Sequence, residues 1–198
     1  MTENRSVSYF EDQFRRQVRE EDFVLNPFER LALEHVRGRV LDLGCGLGNL
    51  ALEAARRGCS VNAVDASATG VAHTQQAALQ ERLSLSAFVA DLETWSIDRD
   101  YDTIVAIGLL MFFPQQRALA LLADIQRHVA PGGRAIINVL VQGTTFLDMF
   151  EAGHYHLFAA DDLRQAFAGW KQLAWREEEF TARGGTVKRF CTLVAEKP

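Results

Sequence analysis

The sequence predicts a Rossmann-like α/β fold: a seven-stranded, mostly parallel sheet with helices on both faces and an antiparallel terminal hairpin. Three observations carry the prediction. Apolar, β-rich runs alternate with helical stretches from residue 39 to residue 141, the pattern of repeated strand–helix–strand units. The first of these runs leads directly into a glycine-rich turn that opens a helix. Near the end of the chain, two strand-like runs, 171–181 and 187–196, flank Gly184 and Gly185, which is a hairpin signal.

Taken in order, residues 39–43 form a short buried strand, and 50–57 a helix that Gly58 stops. A second strand over 60–64 ends at Asp65, a helix follows over 68–82, and a third strand over 85–90 ends at Asp91. A polar loop over 95–100 precedes a fourth strand, 101–107. Residues 115–129 read as an amphipathic helix with Leu119, Leu122, Ile125 and Val129 on one face. Pro131-Gly132-Gly133 reads as a tight turn into a fifth strand, 134–141, and 161–167 as a short helix. Residues 1–25 lie outside the sheet pattern and are expected to form a helical arm on a single domain spanning 1–198.

Bulk properties narrow the function classes. A formal net charge of -5 opposes a phosphate-binding surface, so no nucleic-acid partner is expected. No apolar stretch reaches the ~18 residues of a membrane span, and the polar N-terminus has no signal-type apolar region. A cytoplasmic protein without a membrane partner is therefore expected. The three cysteines are scattered with no Cys-x-x-Cys pair, which implies reduced thiols and no metal site.

The chemistry is carried by the run Val40-Leu41-Asp42-Leu43-Gly44-Cys45-Gly46-Leu47-Gly48. Its glycines permit a sharp turn and a close ligand approach, and the helix behind it offers free N–H groups. A nicotinamide site uses Gly-x-Gly-x-x-Gly and places a pyrophosphate on the helix N-terminus. Here the spacing is Gly-x-Gly-x-Gly with Asp42 in front. That carboxylate would repel a pyrophosphate and suits a ligand carrying an ammonium and a sulfonium, so the pattern predicts S-adenosylmethionine. Asp65, followed by Ala66, stands where a carboxylate accepts ribose hydroxyls. Asp91 stands where one accepts an adenine amino group, with Leu92 as apolar cover. Both fall on the carboxyl edge of the sheet, as does Gly108 after the fourth strand. The expected cofactor site is thus Asp42, Gly44, Cys45, Gly46, Gly48, Asp65, Ala66, Asp91, Leu92 and Gly108. The terminal hairpin agrees: sheets of class I S-adenosylmethionine-dependent methyltransferases end antiparallel, whereas dehydrogenase sheets end in another parallel unit.

After the fourth strand, Gly108-Leu109-Leu110-Met111-Phe112-Phe113-Pro114 replaces the Asn/Asp-Pro-Pro-Tyr/Phe segment of enzymes that methylate amide or base nitrogens. Taken with Leu110-Met111-Phe112, Pro131-Gly132-Gly133, Leu157-Phe158, Asp162-Leu163, Gly169-Trp170 and Arg189-Phe190-Cys191-Thr192, the chain from about Arg39 onward resembles the TehB-type tellurite-resistance methyltransferases. The resemblance implies methyl transfer to a small acceptor, a tellurium or selenium oxyanion. The chain departs from that family at the hairpin, where Phe180-Thr181-Ala182-Arg183 stands in place of a His-Arg pair.

Acceptor contacts are expected from the arm (Tyr9, Phe10, Arg15, Arg16), from Met111 and Phe112, from the loop of His154, Tyr155 and His156, and from Arg183, Lys188 and Arg189. Arg183, Arg189 and His154 are the candidates for a catalytic role. Solvated arginines and histidines, and Met111, Phe112 and Trp170 as core, are the competing readings of the same residues. A thiol or other small metabolite as acceptor stays open, as does a module that binds the cofactor without turnover.

Overall fold

The computed structural model describes residues 5–198; residues 1–4 of the expected arm lie outside the described residues. The order of elements is α1 (Arg5–Glu20), α2 (Pro27–Leu33), β1 (Arg39–Leu43), α3 (Asn49–Arg56), β2 (Ser60–Asp65), α4 (Ala68–Glu81), β3 (Leu85–Val89), β4 (Tyr101–Ile107), α5 (Gln115–His128), β5 (Val129–Leu140), α6 (Asp162–Ala166), β6 (Lys171–Thr181) and β7 (Val187–Glu196). One seven-stranded sheet has the order β3-β2-β1-β4-β5-β7-β6. β1 to β5 are parallel, and β7 runs antiparallel to both β5 and β6. This is the class I methyltransferase architecture.

Alternation along the strands builds two apolar layers. Leu41 and Leu43 of β1 join Ile104, Ile137 and Leu193 under α5, whose Ala118, Leu121, Leu122 and Ile125 are buried. Val40 faces the other way and joins Val105, Ile136 and Val194 under α2 and α3, which contribute Ala32, Leu33, Leu50, Ala51, Ala54 and Ala55. Asp42, two residues after Val40, lies on that second face. A third, smaller cluster joins Met111 and Phe112 to Leu140, Phe146, Met149 and Phe150, with Phe10 of α1 packed against it.

The structure corrects three readings. Leu119 is 44% exposed, and the buried stripe of α5 runs through Ala118 and Leu121 instead, one turn-step round the helix. Pro131-Gly132-Gly133 does not precede β5 but interrupts it: pairing moves from Tyr101–Val129 to Thr103–Arg134, so the extra residues form a bulge inside one strand. The arm is followed by a second helix, α2, which the sheet pattern did not reveal. Its N-terminus is a capping box: Asn26 Oδ1 accepts from Glu29 N–H at 2.9 Å, and Glu29 Oε2 accepts from Asn26 N–H at 2.7 Å, with Pro27 in the first turn.

Candidate functional site

The site is built where β1, β2 and β4 end. Gly44 and Cys45 donate their N–H groups to Val64 O at 2.8 and 3.1 Å, which ties the glycine turn to β2. Gly48 caps α3 at φ 73°, and a Cβ there would lie 2.3 Å from Thr74 Oγ1. Thr74 in turn donates to Gly70 O, and a Cβ on Gly70 would lie 2.3 Å from Gly46 O, so only glycine lets α4 sit against the turn. Leu109, just after β4, covers the turn from the other side at Gly44. The N–H of Gly108 donates to Asn138 O at 3.0 Å, which fixes the edge between β4 and β5.

Three carboxylates converge here. Asp65 accepts from Gly46 N–H and from Ser67 N–H, each at 2.8 Å. Burial pushes its pKa up, and these backbone bonds oppose the shift. Each oxygen keeps a second lone pair for a hydroxyl. Asp42 is only 4% exposed, and no donor reaches its carboxylate among the described residues. Burial, then the nearby charges of Glu29 and Asp65, push its pKa up to about 8. Glu29 itself is raised by burial while it caps α2. A buried carboxylate without a donor, beside two more, is strongly unfavourable in an empty protein and favourable beside a cation. The residues therefore fit a ligand that carries an ammonium and a sulfonium.

The adenine-side candidates lie in the turn just after β3. Asp91 is exposed and lies beyond the end of β3; its Oδ1 accepts from Glu93 N–H at 3.0 Å, capping its own turn. Leu92 is buried in the main core at 4% exposure. Ala66 follows Asp65 in the same turn. The Cys45 thiol is buried, and burial, followed by Asp42 and Asp65, raises its pKa well above the usual thiol value, so it is no nucleophile.

Helix α1 lies across these strand ends. The hydroxyls of Ser67 and Thr69 donate to the Glu11 carboxylate, and the Phe14 ring stands 2.9 Å from where a Gly46 Cβ would be. Phe10 packs edge-on against Phe112 at 5.0 Å. The opposite side of α1, with Tyr9, Asp12, Gln13 and Arg16, faces a cavity of about 660 Å³ whose other walls are α2 and the β6–β7 hairpin. Helix α1 thus borders both the glycine turn, through Phe14, and this cavity, through Tyr9, Asp12, Gln13 and Arg16.

The acceptor candidates divide accordingly. Arg16, Arg183 and Lys188 border the cavity, as do Phe28, Phe146, Phe180 and Phe190. Arg15 instead turns back to Glu11 at 3.2 Å. Arg189 pairs with Glu179 of β6 at 2.7 Å and borders a different, acidic groove with Glu177 and Glu178. His154 Nε2 meets Glu93 Oε1 at 2.6 Å, fastening the 142–160 loop to the turn after β3. His156 packs its ring on Phe158 at 4.6 Å. Met111 and Phe112 are buried core, and Trp170 packs on Phe167. Sequence reasoning missed Glu29 and Phe28, although Asn26-Pro27-x-Glu29 marks a helix start. It also missed Glu11, whose role depends on how the arm folds back.

Among the described residues, no His/Cys/Asp/Glu group has metal-site geometry, and no helix is long and apolar enough to cross a membrane. The chain resembles known proteins along most of its length. It is 34% identical over 167 residues to Hemagglutinin 1 of Eikenella corrodens, covering 81% of this chain and 55% of that protein. It is 26% identical over 166 residues to the probable S-adenosyl-L-methionine-dependent methyltransferase TehB of Haemophilus influenzae (strain 10810), covering 80% and 57%. The chain thus spans little more than half the length of these curated relatives. The crystal structure of TehB from Haemophilus influenzae superposes with a TM-score of 0.78 at 23% identity, covering 96% of this chain and 67% of that one. The family model for tellurite resistance protein TehB matches residues 7–187, and the chain belongs to that family.

Proposed function

We propose that this chain transfers a methyl group from S-adenosylmethionine to a small, soft, anionic acceptor, of which tellurium and selenium oxyanions are the first to test. The observation that carries the cofactor half is Asp42: a buried carboxylate with no donor, flanked by Glu29 and Asp65 at a glycine turn. Relatives described as probable S-adenosyl-L-methionine-dependent methyltransferases support the same reading. The acceptor half rests on Arg16, Arg183 and Lys188 around one cavity, cations with no carboxylate at ion-pair distance among the described residues.

When bound, the cofactor supplies a methyl already activated as a sulfonium, so that an acceptor lone pair forms the new bond while the C–S pair stays on sulfur. The protein's own work is placement. Asp42 and Glu29 hold positive charge at the turn, Asp65 offers free lone pairs to hydroxyls, and the cations around the cavity draw in a negative acceptor. Phe10 and Phe14 of α1 exclude water from the strand ends. Positioning of two reactants contributes ~7–11 kcal/mol to such a reaction, and an anionic acceptor needs no base.

The test is release of S-adenosylhomocysteine from labelled donor with selenite or tellurite under thiol reduction, together with detection of a volatile methylated product. Product with either oxyanion is expected. Cofactor binding without product from any acceptor would leave a binding module and sink the transfer reading.

A further inference from the structure

The cavity beside α1 is larger and more apolar than an oxyanion requires. An oxyanion displaces roughly the volume of two waters, about 60 Å³, whereas this cavity holds about 660 Å³, within the range of roughly 300–1,000 Å³ typical of organic-ligand sites. Its walls are of two kinds. Arg16, Arg183 and Lys188 have no carboxylate at ion-pair distance among the described residues. The Lys188 ammonium instead lies 4.4 Å over the Phe146 ring, and burial lowers its pKa. Two carboxylates also border the space, Asp148 and Asp12, and the latter stands 3.9 Å from Arg15. The other wall is aromatic: Phe28 meets Phe190 at 4.7 Å and Phe180 at 5.8 Å, and Phe180 remains 38% exposed at the hairpin. An exposed aromatic beside unpaired cations gives a flat apolar surface next to a positive one.

We propose that this cavity is the acceptor site and that its acceptor is an organic carboxylate with a flat, apolar body. The carboxylate meets Arg16, Arg183 and Lys188, and the body lies against Phe28, Phe180 and Phe190. The inference rests on the methyl-transfer reading, because the cavity is an acceptor site only if the glycine turn holds the donor.

The probe is 4-mercaptobenzoate, which joins a carboxylate to a soft thiolate across one ring, compared with 4-methylbenzenethiol, which lacks the carboxylate, and with selenite. Binding is measured by calorimetry on the full chain saturated with S-adenosylhomocysteine. The carboxylate-bearing thiol is expected to bind at least about tenfold tighter than the neutral one, as a charge-assisted hydrogen bond allows. With donor present, its thiolate takes the methyl to give the aryl methyl thioether and S-adenosylhomocysteine. Arg183→Ala and Lys188→Met should each weaken it about tenfold, with S-adenosylhomocysteine affinity unchanged as the control for folding. Phe180→Ala should weaken 4-mercaptobenzoate and leave selenite unaffected. Equal binding of the two thiols, or equal loss of selenite and 4-mercaptobenzoate in Phe180→Ala, would overturn the inference. Failure of S-adenosylhomocysteine itself to bind would overturn the cofactor reading, and this inference with it.

Discussion

Asp42 couples the fold's stability to pH. Its carboxyl titrates near 3.8 when exposed and at about 8 in the folded protein. Across that window the native state keeps a proton that the unfolded state has lost, so stability falls as pH rises from about 4 to about 8. Asp42→Asn should therefore flatten the pH dependence and raise the stability of the ligand-free protein at about pH 8, measured by urea denaturation at several pH values. A ligand ammonium placed against Asp42 reverses the balance by favouring the carboxylate. Binding of S-adenosylhomocysteine near pH 7 should release protons, seen as a calorimetric enthalpy that differs between phosphate and Tris buffers. A buffer-independent enthalpy would remove Asp42 from the site. Asp65 acts through its free lone pairs, and Asp65→Ala should weaken cofactor binding by about one to two powers of ten, from ~1.5–3 kcal/mol per charge-assisted bond. Unchanged affinity would leave Asp65 only the role of bracing Gly46. Asp42 and Asp65 were readable because each sits at a strand end beside a glycine turn. Glu29 was not, since its approach to Asp42 depends on how α2 crosses the sheet.

At the scale of elements, α1 is held by few but specific contacts. Glu11 receives hydroxyl hydrogens from Ser67, the N-cap of α4, and from Thr69. Glu11→Ala leaves both hydroxyls short of a partner and should cost ~1–3 kcal/mol locally. Hydrogen exchange should then speed up in residues 5–20 while β1 and β4 keep their protection; uniform exchange across both would mean that α1 is not a separately opening unit. Helix α1 itself is legible as an arm, but its fold-back is not, because Phe10 and Phe14 find their partners far along the chain, Phe112 for the one and Gly46 for the other. The strands were legible almost to the residue, since each is a short Val/Ile/Leu run between glycine, aspartate or charged breaks. β5 was the exception. A Pro-Gly-Gly sequence signals a turn locally, and only pairing with β4 shows that the strand continues through it as a bulge. Leu119 failed for a related reason: a helical stripe can be drawn through several apolar sets, and the sheet decides which one is buried.

For the molecule as a whole, the long 142–160 segment is tied to the sheet by Thr144, Thr145 and Phe146, which hydrogen-bond to Val187 and Arg189 of β7, and by Phe158. Phe158 is fully buried and pairs with Val141 beside the end of β5. Phe158→Ala should cost about 3–5 kcal/mol in global stability, from lost burial and the cavity left behind. A loss below about 1 kcal/mol in denaturant melts would show that the segment does not belong to the cooperative core. The antiparallel β6–β7 hairpin completes the sheet next to β5 and brings its tip to the cavity, so one element closes the fold and walls that cavity.

That double duty separates two kinds of inheritance. Phe180, at the end of β6, rests its exposed ring on Phe28 and Phe190, and Arg183 stands at the hairpin tip; neither belongs to the buried clusters, so exchanges there spare the interior and the donor turn. The proposed acceptor preference can therefore change by exchanges at a few surface positions, with the sheet and the glycine turn left as they are. A library randomised at Phe180 and Arg183 should return mostly folded proteins that still bind the donor and diverge in what they accept.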